Sequence, residues 1–309
     1  MNEKIEILVK NIEKVIVGKE TAIRQAIAAL LTEGHVLVED VPGVGKTQLA
    51  AALSKSVSGS FNRVQMTPDI MPTDITGFSM LNRETGGFEY RKGAAFCNFL
   101  LADEINRASP KAQSSLLEVM EEHQVSADGE TYTLPKPFMV LATQNPVETY
   151  GTYHLPEAQM DRFVMKISMG YPTTEEELAI LDRNEYENPI LNISSVLSIE
   201  DIVSIQDQVK QVRAADNVKN YIVSVTIATR NDEGIKLGIS PRGSIALYKA
   251  AKAWAFMNGR DYITPQDVKD CAVCTLAHRI MLSPKGKSMF DTPEKAIEKI
   301  LDSVPVPNE

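Results

Sequence analysis

One short segment constrains this chain more than any other feature: Asp40-Val41-Pro42-Gly43-Val44-Gly45-Lys46-Thr47. It follows the apolar run His35–Val38, which predicts a short strand, and it opens a helix that begins near Thr47. A glycine-containing loop at such a junction turns backbone N–H groups inward around phosphate groups, and the helix N-terminus adds the positive end of its dipole. The segment therefore predicts a phosphate-binding loop in an α/β protein. The alternative, an ordinary glycine turn before a helix, leaves the strand–loop–helix order unexplained.

The residue types in this loop have separate expected roles. Lys46 is placed to reach the β- and γ-phosphates of a nucleotide, and the Thr47 hydroxyl is placed to ligate Mg²⁺. One position departs from the pattern G-x-x-x-x-G-K-[ST], because Asp40 stands where the first glycine is usual. That position shapes the start of the loop and supplies no ligand. The other loop positions expected to bind the nucleotide are Pro42, Gly43, Val44, Gly45 and Gln48.

Two further predicted strands end in polar side chains. The apolar run Asn98–Ala102 leads into Asp103 and Glu104. Asp103 is placed to hold Mg²⁺ through water, and Glu104 to orient or deprotonate an attacking water. The run Phe138–Ala142 leads to Asn145, which is placed to hydrogen-bond the γ-phosphate or that water. Alone, the acids also fit a helix N-cap and the asparagine a turn, but beside a phosphate-binding loop they predict nucleotide hydrolysis.

Strands and helices alternate over the first half of the chain. A helix is expected from Pro110 to about Glu122, with Ser109 as its N-cap. Alternation of this kind predicts a five-stranded, mostly parallel sheet between helices. Two stretches exceed simple alternation, 67–98 with a Gly-Gly turn and 124–134 with an Asp-Gly turn, and both are interpreted as hairpin-bearing insertions. Besides the strand before the loop, the candidate strands are Phe61–Met66, Phe99–Ala102, Phe138–Ala142 and Phe163–Met169.

The pattern changes after Pro172 to helices alone. Capping signatures begin at Thr174, Ser198 and Thr264, and Ser240 opens another helix. No strand is expected beyond residue 169. The sequence therefore predicts an α/β domain over 1–190 and an all-helical domain over 195–309, joined by a linker at 184–195.

Composition narrows the class of protein further. The 309 residues carry 32 Lys and Arg against 41 Asp and Glu, a net charge of −9, which argues against a nucleic-acid partner. We expect no membrane insertion and a cytoplasmic location, because no apolar stretch approaches ~18 residues and three cysteines cannot form a disulfide framework. Cys271 and Cys274 are expected to be buried in a helix. No Asn-Lys-x-Asp guanine-reading motif occurs, so ATP and Mg²⁺ are the expected cofactors.

These features together resemble the AAA+ superfamily of P-loop ATPases, and several strings resemble the MoxR family within its helix-2-insert, magnesium-chelatase-like clade. The resemblance covers nearly the whole chain and implies an α/β core followed by a helical lid. The strings that carry it are Val17-Gly18-Lys19-Glu20, Leu101-Ala102-Asp103-Glu104-Ile105-Asn106-Arg107-Ala108, Ala142-Thr143-Gln144-Asn145-Pro146, Gly151-Thr152-Tyr153, Leu155-Pro156-Glu157-Ala158-Gln159, Asp161-Arg162-Phe163, Ser240-Pro241-Arg242 and Gly259-Arg260-Asp261-Tyr262.

The resemblance implies an arginine finger, a residue that one subunit supplies to the γ-phosphate bound by its neighbour. Arg162 matches that position, and Arg107 is a second candidate. A finger of this kind accelerates phosphoryl transfer by roughly 10³–10⁵. The alternative for Arg162 is a salt bridge with Asp161 or Glu157.

Two further roles follow from the resemblance alone. Arg242, at the start of its helix, matches the sensor arginine that ties the lid to the nucleotide, and the alternative is a surface arginine. Val17 and Gly18 match the segment that passes the adenine base.

The resemblance also implies how such a protein works. Because the finger comes from a neighbour, a homo-oligomeric ring is expected, with a hexamer as its form. The expected output is chaperone-like remodelling, maturation or metal insertion of client proteins, with partners that carry a von Willebrand factor A domain. Recognition is expected on the insertions near 75–97 and 124–134, on the ring surface or on an adaptor.

Two alternative functions remain open at this point. One is a motor that acts on DNA or transcription complexes, against which the acidic charge argues. The other is a nucleotide-dependent scaffold without significant hydrolysis, against which the complete set of candidate catalytic residues argues.

Overall fold

The computed structural model describes residues 2–84, 86–146, 151–183 and 188–307. Its strands are β1 Val36–Glu39, β2 Phe61–Gln65, β3 Gly77–Leu81, β4 Phe88–Lys92, β5 Phe99–Asp103, β6 Gln124–Ala127, β7 Glu130–Thr133, β8 Met139–Gln144, β9 Met165–Ile167, β10 Ile235–Leu237 and β11 Met281–Leu282. Its α-helices are α1 Glu3–Glu13, α2 Glu20–Leu31, α3 Lys46–Ser56, α4 Pro72–Thr76, α5 Pro110–Glu122, α6 Glu157–Met160, α7 Thr174–Arg183, α8 Ile199–Lys210, α9 Asp216–Asn231, α10 Pro241–Met257, α11 Pro265–Leu276, α12 Pro284–Phe290 and α13 Pro293–Ser303.

A five-stranded sheet in the order β2-β5-β8-β1-β9 forms the centre of the first domain, and all its neighbouring strands are parallel. Apolar side chains cover both faces, because successive residues of a strand point to opposite sides. On β1, for example, Val36 and Val38 belong to one buried cluster and Leu37 belongs to the other. The predicted parallel sheet between helices is confirmed. All five carboxyl ends therefore lie along one edge, and the phosphate-binding loop follows β1 at that edge.

Both predicted insertions contain hairpins. Strands β3 and β4 pair antiparallel, and so do β6 and β7, whose turn places Asp128 at φ 52° and Gly129 at φ 82°. Two positive φ values are the signature of a type I′ turn, which explains the Asp-Gly pair. The rings of Tyr90 on β4 and Tyr132 on β7 stack with centroids 4.0 Å apart, so the two hairpins contact each other.

The second domain is helical, as predicted, but the prediction of no strand beyond residue 169 is wrong. Strands β10 and β11 form a short antiparallel pair in which Ile235 lies opposite Leu282. Three-residue and two-residue strands are too short to show a period-2 pattern, so the sequence gives no signal for them. Ser198, Ser240 and Thr264 cap their helices as expected.

One predicted cap lies one residue away from its predicted position. The Thr173 hydroxyl accepts a hydrogen bond from the Glu176 N–H at 3.3 Å, and the Glu176 carboxylate accepts from the Thr173 N–H at 3.0 Å. Thr173 therefore caps α7 in place of Thr174, because a glutamate three residues on is available to either threonine.

The domain boundaries remain a prediction. Of the predicted linker 184–195, residues 184–187 lie outside the described residues, and Pro189–Asn192 form a 3₁₀ turn. The chain that follows packs on the first domain, where the N–H groups of Val196 and Leu197 donate to the Ser56 carbonyl. Within the described ranges, no helix combines the length and the apolar character that a bilayer span requires.

His35, immediately before β1, is buried and hydrogen-bonded at both ring nitrogens. Nε2 lies 2.8 Å from the Met120 carbonyl oxygen, and Nδ1 accepts from the Val140 N–H at 3.0 Å. A ring that donates from Nε2 and accepts at Nδ1 is neutral. Burial lowers the pKa of His35 to about 4, against the opposing effect of the Met120 carbonyl and with a smaller contribution from His123.

This histidine predicts an acid-sensitive fold. Between its ordinary pKa of 6.5 and about 4, the folded protein binds fewer protons at His35 than the unfolded chain does. The free energy of unfolding is therefore expected to fall by roughly 3 kcal/mol as the pH falls through that window. Denaturant unfolding of the protein and of His35→Gln across the same window tests this, and the variant is expected to lose less. Identical pH slopes for the two proteins would contradict it.

Candidate functional site

The predicted phosphate-binding loop joins β1 to α3, as the motif requires. Gly43 adopts φ 86° and Gly45 adopts φ 94°, a backbone region that side-chain-bearing residues rarely enter. A Cβ on Gly43 would meet no atom within 4 Å, so the glycine is required by the backbone conformation and not by crowding. The Lys46 ammonium donates to the carbonyl oxygens of Asp40 at 2.6 Å and Gln144 at 3.2 Å, so its charge lies over the mouth of the loop.

Asp40, the departure from the usual glycine, anchors the start of this loop. One carboxylate oxygen accepts from the Ser168 hydroxyl at 2.9 Å and from the N–H groups of Met169 and Gly170 at 2.7 and 2.6 Å. The other oxygen accepts from the Val41 N–H at 2.9 Å. Burial alone raises the pKa of Asp40, but these hydrogen bonds to the charged form outweigh it and lower the pKa. The carboxylate thus ties the loop to the chain that leaves β9.

Asp103 is the last residue of β5, at the same edge of the sheet as the loop. Its Oδ1 accepts from the Thr143 hydroxyl at 2.6 Å, and its Oδ2 accepts from Arg63 Nη2 at 2.7 Å. The two contacts fix the plane of the carboxylate, and they come from the strands on either side of β5. Asn145, one residue after β8, is buried at this edge as well.

Glu104 follows Asp103 in a left-handed conformation, with φ 58° and ψ 53°. Its N–H donates to the Thr143 hydroxyl at 2.8 Å. Its carboxylate Oε2 accepts from Gln65 Nε2 at 2.6 Å and from Arg107 Nη1 at 2.9 Å. A strained backbone and two side-chain donors therefore hold Glu104 in one orientation, as a positioned base requires.

The oxygen donors at this edge fit Mg²⁺. Thr47, in the first turn of α3, supplies a hydroxyl, and Asp103 supplies a carboxylate. In the part of the chain that the structure describes, no group of three or more His, Cys, Asp or Glu is arranged to hold a metal ion. With Thr47 as a ligand and Asp103 acting through water, most coordination positions are left to phosphate and water, which is how Mg²⁺ is usually held with nucleotides.

A cavity of about 200 Å³ adjoins the phosphate-binding loop. Val17, Gly45, Gln48 and Met169 are among the residues that line it. Gly18 lies between two lining residues of the segment predicted to pass the adenine base, and Lys19 in that segment pairs with Glu176 at 3.1 Å. The predicted base-binding segment and the phosphate-binding loop thus border one cavity.

Arg162 and Arg242 lie together at the opposite edge of the sheet. Arg162 pairs with one carboxylate oxygen of Glu121 at 3.2 Å, and Arg242 pairs with the other. Arg162 lies three residues before β9, and between them the Val164 N–H donates to the His35 carbonyl at 2.9 Å. The length of β1 separates this edge from the phosphate-binding loop by about 13 Å, at ~3.3 Å per residue.

The sequence did not predict several residues that contact Asp103 and Glu104 at one edge of the sheet or Arg162 and Arg242 at the other. Gln65 ends β2 at the edge where Asp103 and Asn145 lie, so its strand-end position was a usable signal. Thr143 lies two residues before Asn145, and its contacts with β5 depend on the order of the strands, which the sequence did not define. Glu121 gave no signal, because it is one of several acids on the exposed face of α5. The salt bridges suggested for Arg162 with Asp161 or Glu157 are not the one that the structure shows.

Comparison with known proteins agrees with this architecture. The model of the family described as "ATPase family associated with various cellular activities (AAA)" matches residues 35–165, and the model described as "AAA lid domain" matches residues 227–300. A crystal structure from Cytophaga hutchinsonii superposes with a TM-score of 0.91 at 39% identity, covering 99% of this chain and 95% of the other.

Two curated relatives match over nearly the full chain. The protein named Chaperone MoxR1 of Mycobacterium tuberculosis is 40% identical over 98% of this chain and 82% of its own length. The protein named YeaC of Bacillus subtilis is 50% identical over 97% of this chain and 93% of its own length. Matches of this extent, together with an AAA core and an AAA lid, show that the chain belongs to the MoxR family of AAA+ ATPases.

Proposed function

We propose that this protein hydrolyses ATP in a ring of identical subunits, and that each active site is completed by Arg162 and Arg242 of the next copy. The observation that carries the proposal is the position of the two arginines. They share Glu121 at the amino-terminal edge of the sheet, whereas the phosphate-binding loop lies at the carboxyl-terminal edge. Neither guanidinium faces the loop of its own chain, so both are available to a neighbour.

In the proposed reaction the loop and the N-terminus of α3 bind the phosphates through backbone N–H groups. Lys46 moves its hydrogen bonds from the carbonyl oxygens of Asp40 and Gln144 to phosphate oxygens. Glu104, oriented by Gln65, accepts a proton from the attacking water. Thr47 and Asp103 would hold Mg²⁺, which would supply positive charge to the phosphates. Asn145 orients the water or the γ-phosphate from the side.

The position of Arg107 favours Arg162 as the finger. Arg107 pairs with Glu104 of its own chain at 2.9 Å, beside the loop. It therefore acts at the site of its own subunit. Arg162 is partly exposed and lies where a second copy of this chain can approach it. A closed ring satisfies every such head-to-tail contact, and a hexamer is the proposed form.

Mixing two inactive variants tests the shared site. In Lys46→Ala the subunit's own site is lost and its finger is kept; in Arg162→Ala the reverse holds. Each alone is expected to be inactive, and random mixing at equal concentration is expected to restore up to about a quarter of the wild-type rate, the fraction of intact sites that meet an intact finger. Activity is measured by phosphate release, with assembly checked by analytical ultracentrifugation. Intact assembly without any restored activity would show that Arg162 does not act across subunits.

The proposed output is remodelling of client proteins, and the β3–β4 hairpin is the proposed contact. Phe88 at its tip is 78% exposed, and Phe78 and Leu81 are about half exposed. Leu81 and Phe88 lie directly opposite each other on one face of the hairpin, and exposed apolar side chains of this kind suit transient binding of partly folded chain. A client or partner with a von Willebrand factor A domain and metal insertion remain predictions from the family resemblance, and a cytoplasmic location remains a prediction from the composition.

A further inference from the structure

A buried arginine of the lid, Arg279, binds the chain on both sides of the proposed finger, Arg162. Arg279 follows α11 in a 3₁₀ turn, and its side chain is 2% exposed. Its Nε donates to the Asp161 carboxylate at 2.7 Å. Its two terminal nitrogens donate to three backbone carbonyls of the first domain, those of Asp161 at 3.2 Å, Phe163 at 2.7 Å and Val164 at 3.2 Å.

These contacts lie on both sides of Arg162, and none of them involves the Arg162 side chain. The backbone carbonyl before Arg162 and the two after it are bound to one rigid, planar guanidinium. A guanidinium has five N–H donors in fixed directions, so the three carbonyls cannot move independently of one another. The lid therefore restrains the backbone on both sides of Arg162.

A second lid residue holds the same carboxylate. The Ser240 hydroxyl donates to Asp161 Oδ2 at 2.9 Å, while its oxygen caps α10 by accepting from the Gly243 N–H at 3.2 Å. Arg242 follows two residues later. Asp161 thus links the segment that carries Arg162 to the helix start that carries Arg242.

Burying the charged guanidinium of Arg279 costs free energy, and its hydrogen bonds must offset that cost. Burial lowers the pKa of Arg279, and the Asp161 carboxylate opposes that shift. A buried charge is tolerated only when it is paired and its donors are satisfied. Here every hydrogen-bond partner of Arg279 other than Thr275 of α11 and the adjacent His278 lies in the segment 161–164.

We propose that Arg279 is a positioning residue for the reaction of the neighbouring subunit: through Asp161 it holds Arg162 in the direction that reaches the next copy's γ-phosphate. Nothing in the family resemblance assigned Arg279 a role. The inference rests on the proposed function of Arg162. It makes the position of the lid a determinant of hydrolysis at the neighbouring site, in addition to the contribution of Arg242.

Two serines of the lid provide a matched first test. Ser240-Pro241-Arg242-Gly243 and Ser283-Pro284-Lys285-Gly286 start helices in the same way, and each serine accepts from the N–H of its glycine. Ser240 also donates to Asp161, whereas Ser283 donates to the Glu233 carbonyl. Ser240→Ala is expected to lower kcat about 10-fold with KM for ATP unchanged, because a finger displaced by a fraction of an ångström loses part of its effect. Ser283→Ala is expected to keep the wild-type kcat, and equal kcat values for the two variants would overturn the proposal.

Arg279→Lys gives the second test, because it keeps the charge but cannot bridge three carbonyls. Its kcat is expected to fall about 10²-fold. Mixing it with Lys46→Ala is expected to restore activity, since the defect lies in the finger and not in its own ATP site. If Arg162→Ala is rescued by Lys46→Ala and Arg279→Lys is not, the positioning role is wrong and the proposed function stands. If neither is rescued, the shared site itself is wrong. Should Arg279→Lys fail to fold, the serine pair decides alone.

Discussion

Glu104→Gln is expected to bind ATP as the wild type does and to hydrolyse it roughly 10²–10⁴ times more slowly, the usual contribution of a positioned general base. Glutamine keeps the shape of the side chain and one oxygen that can still accept from Gln65 Nε2. It also leaves the contact between the Glu104 N–H and Thr143 in place. What it removes is the basic oxygen that takes a proton from water.

Two measurements on the same preparation check this expectation. Phosphate release gives the rate, and equilibrium titration with a fluorescent ATP analogue gives the affinity. Glu298→Gln, an exposed position on α13, is the control for loss of one negative charge and is expected to behave as wild type. A Glu104→Gln protein that no longer binds nucleotide would mean that Glu104 supports the fold of the loop.

Arg162→Ala is expected to lower kcat by roughly 10³–10⁵, the range for loss of an arginine finger, with a much smaller change in KM. The finger stabilises charge that develops in the transition state, so its loss affects the rate more than ground-state binding. Glu121 keeps its contact with Arg242 in the variant, so the local structure retains one of its two ion pairs.

Steady-state ATPase kinetics provide the test, with Arg213→Ala as the control. Arg213 is an exposed lid arginine that pairs with Asp261. Its replacement is expected to leave kcat unchanged, since exposed ion pairs contribute little. Normal turnover in Arg162→Ala together with lost turnover in Arg107→Ala would transfer the role to Arg107.

The parts of the site that were predictable are those that follow one another along the chain. The loop from Asp40 to Thr47 carries its own strand, glycines and helix start. Asp103, Glu104 and Asn145 each end a recognisable apolar run. Parallel strands then bring these ends to one edge, so local pattern was enough to place them together.

The parts that were missed depend on contacts between distant positions. Asp161 meets Arg279 across 118 residues of sequence, and Arg242 meets Glu121 across 121. No local pattern shows that Asp161 pairs with Arg279 or that Arg242 pairs with Glu121. The sequence placed Arg162 and Arg242 in separate domains, and only the packing of the lid against the start of β9 brings them to one carboxylate.

The central claim is that one chain cannot complete its own active site. The most direct measurement is the specific ATPase activity over a series of protein concentrations, with the assembly state followed by light scattering at each step. The claim predicts that activity per subunit approaches zero on dilution and rises in parallel with assembly. A dilute, demonstrably monomeric protein that retains the full activity per subunit would contradict it.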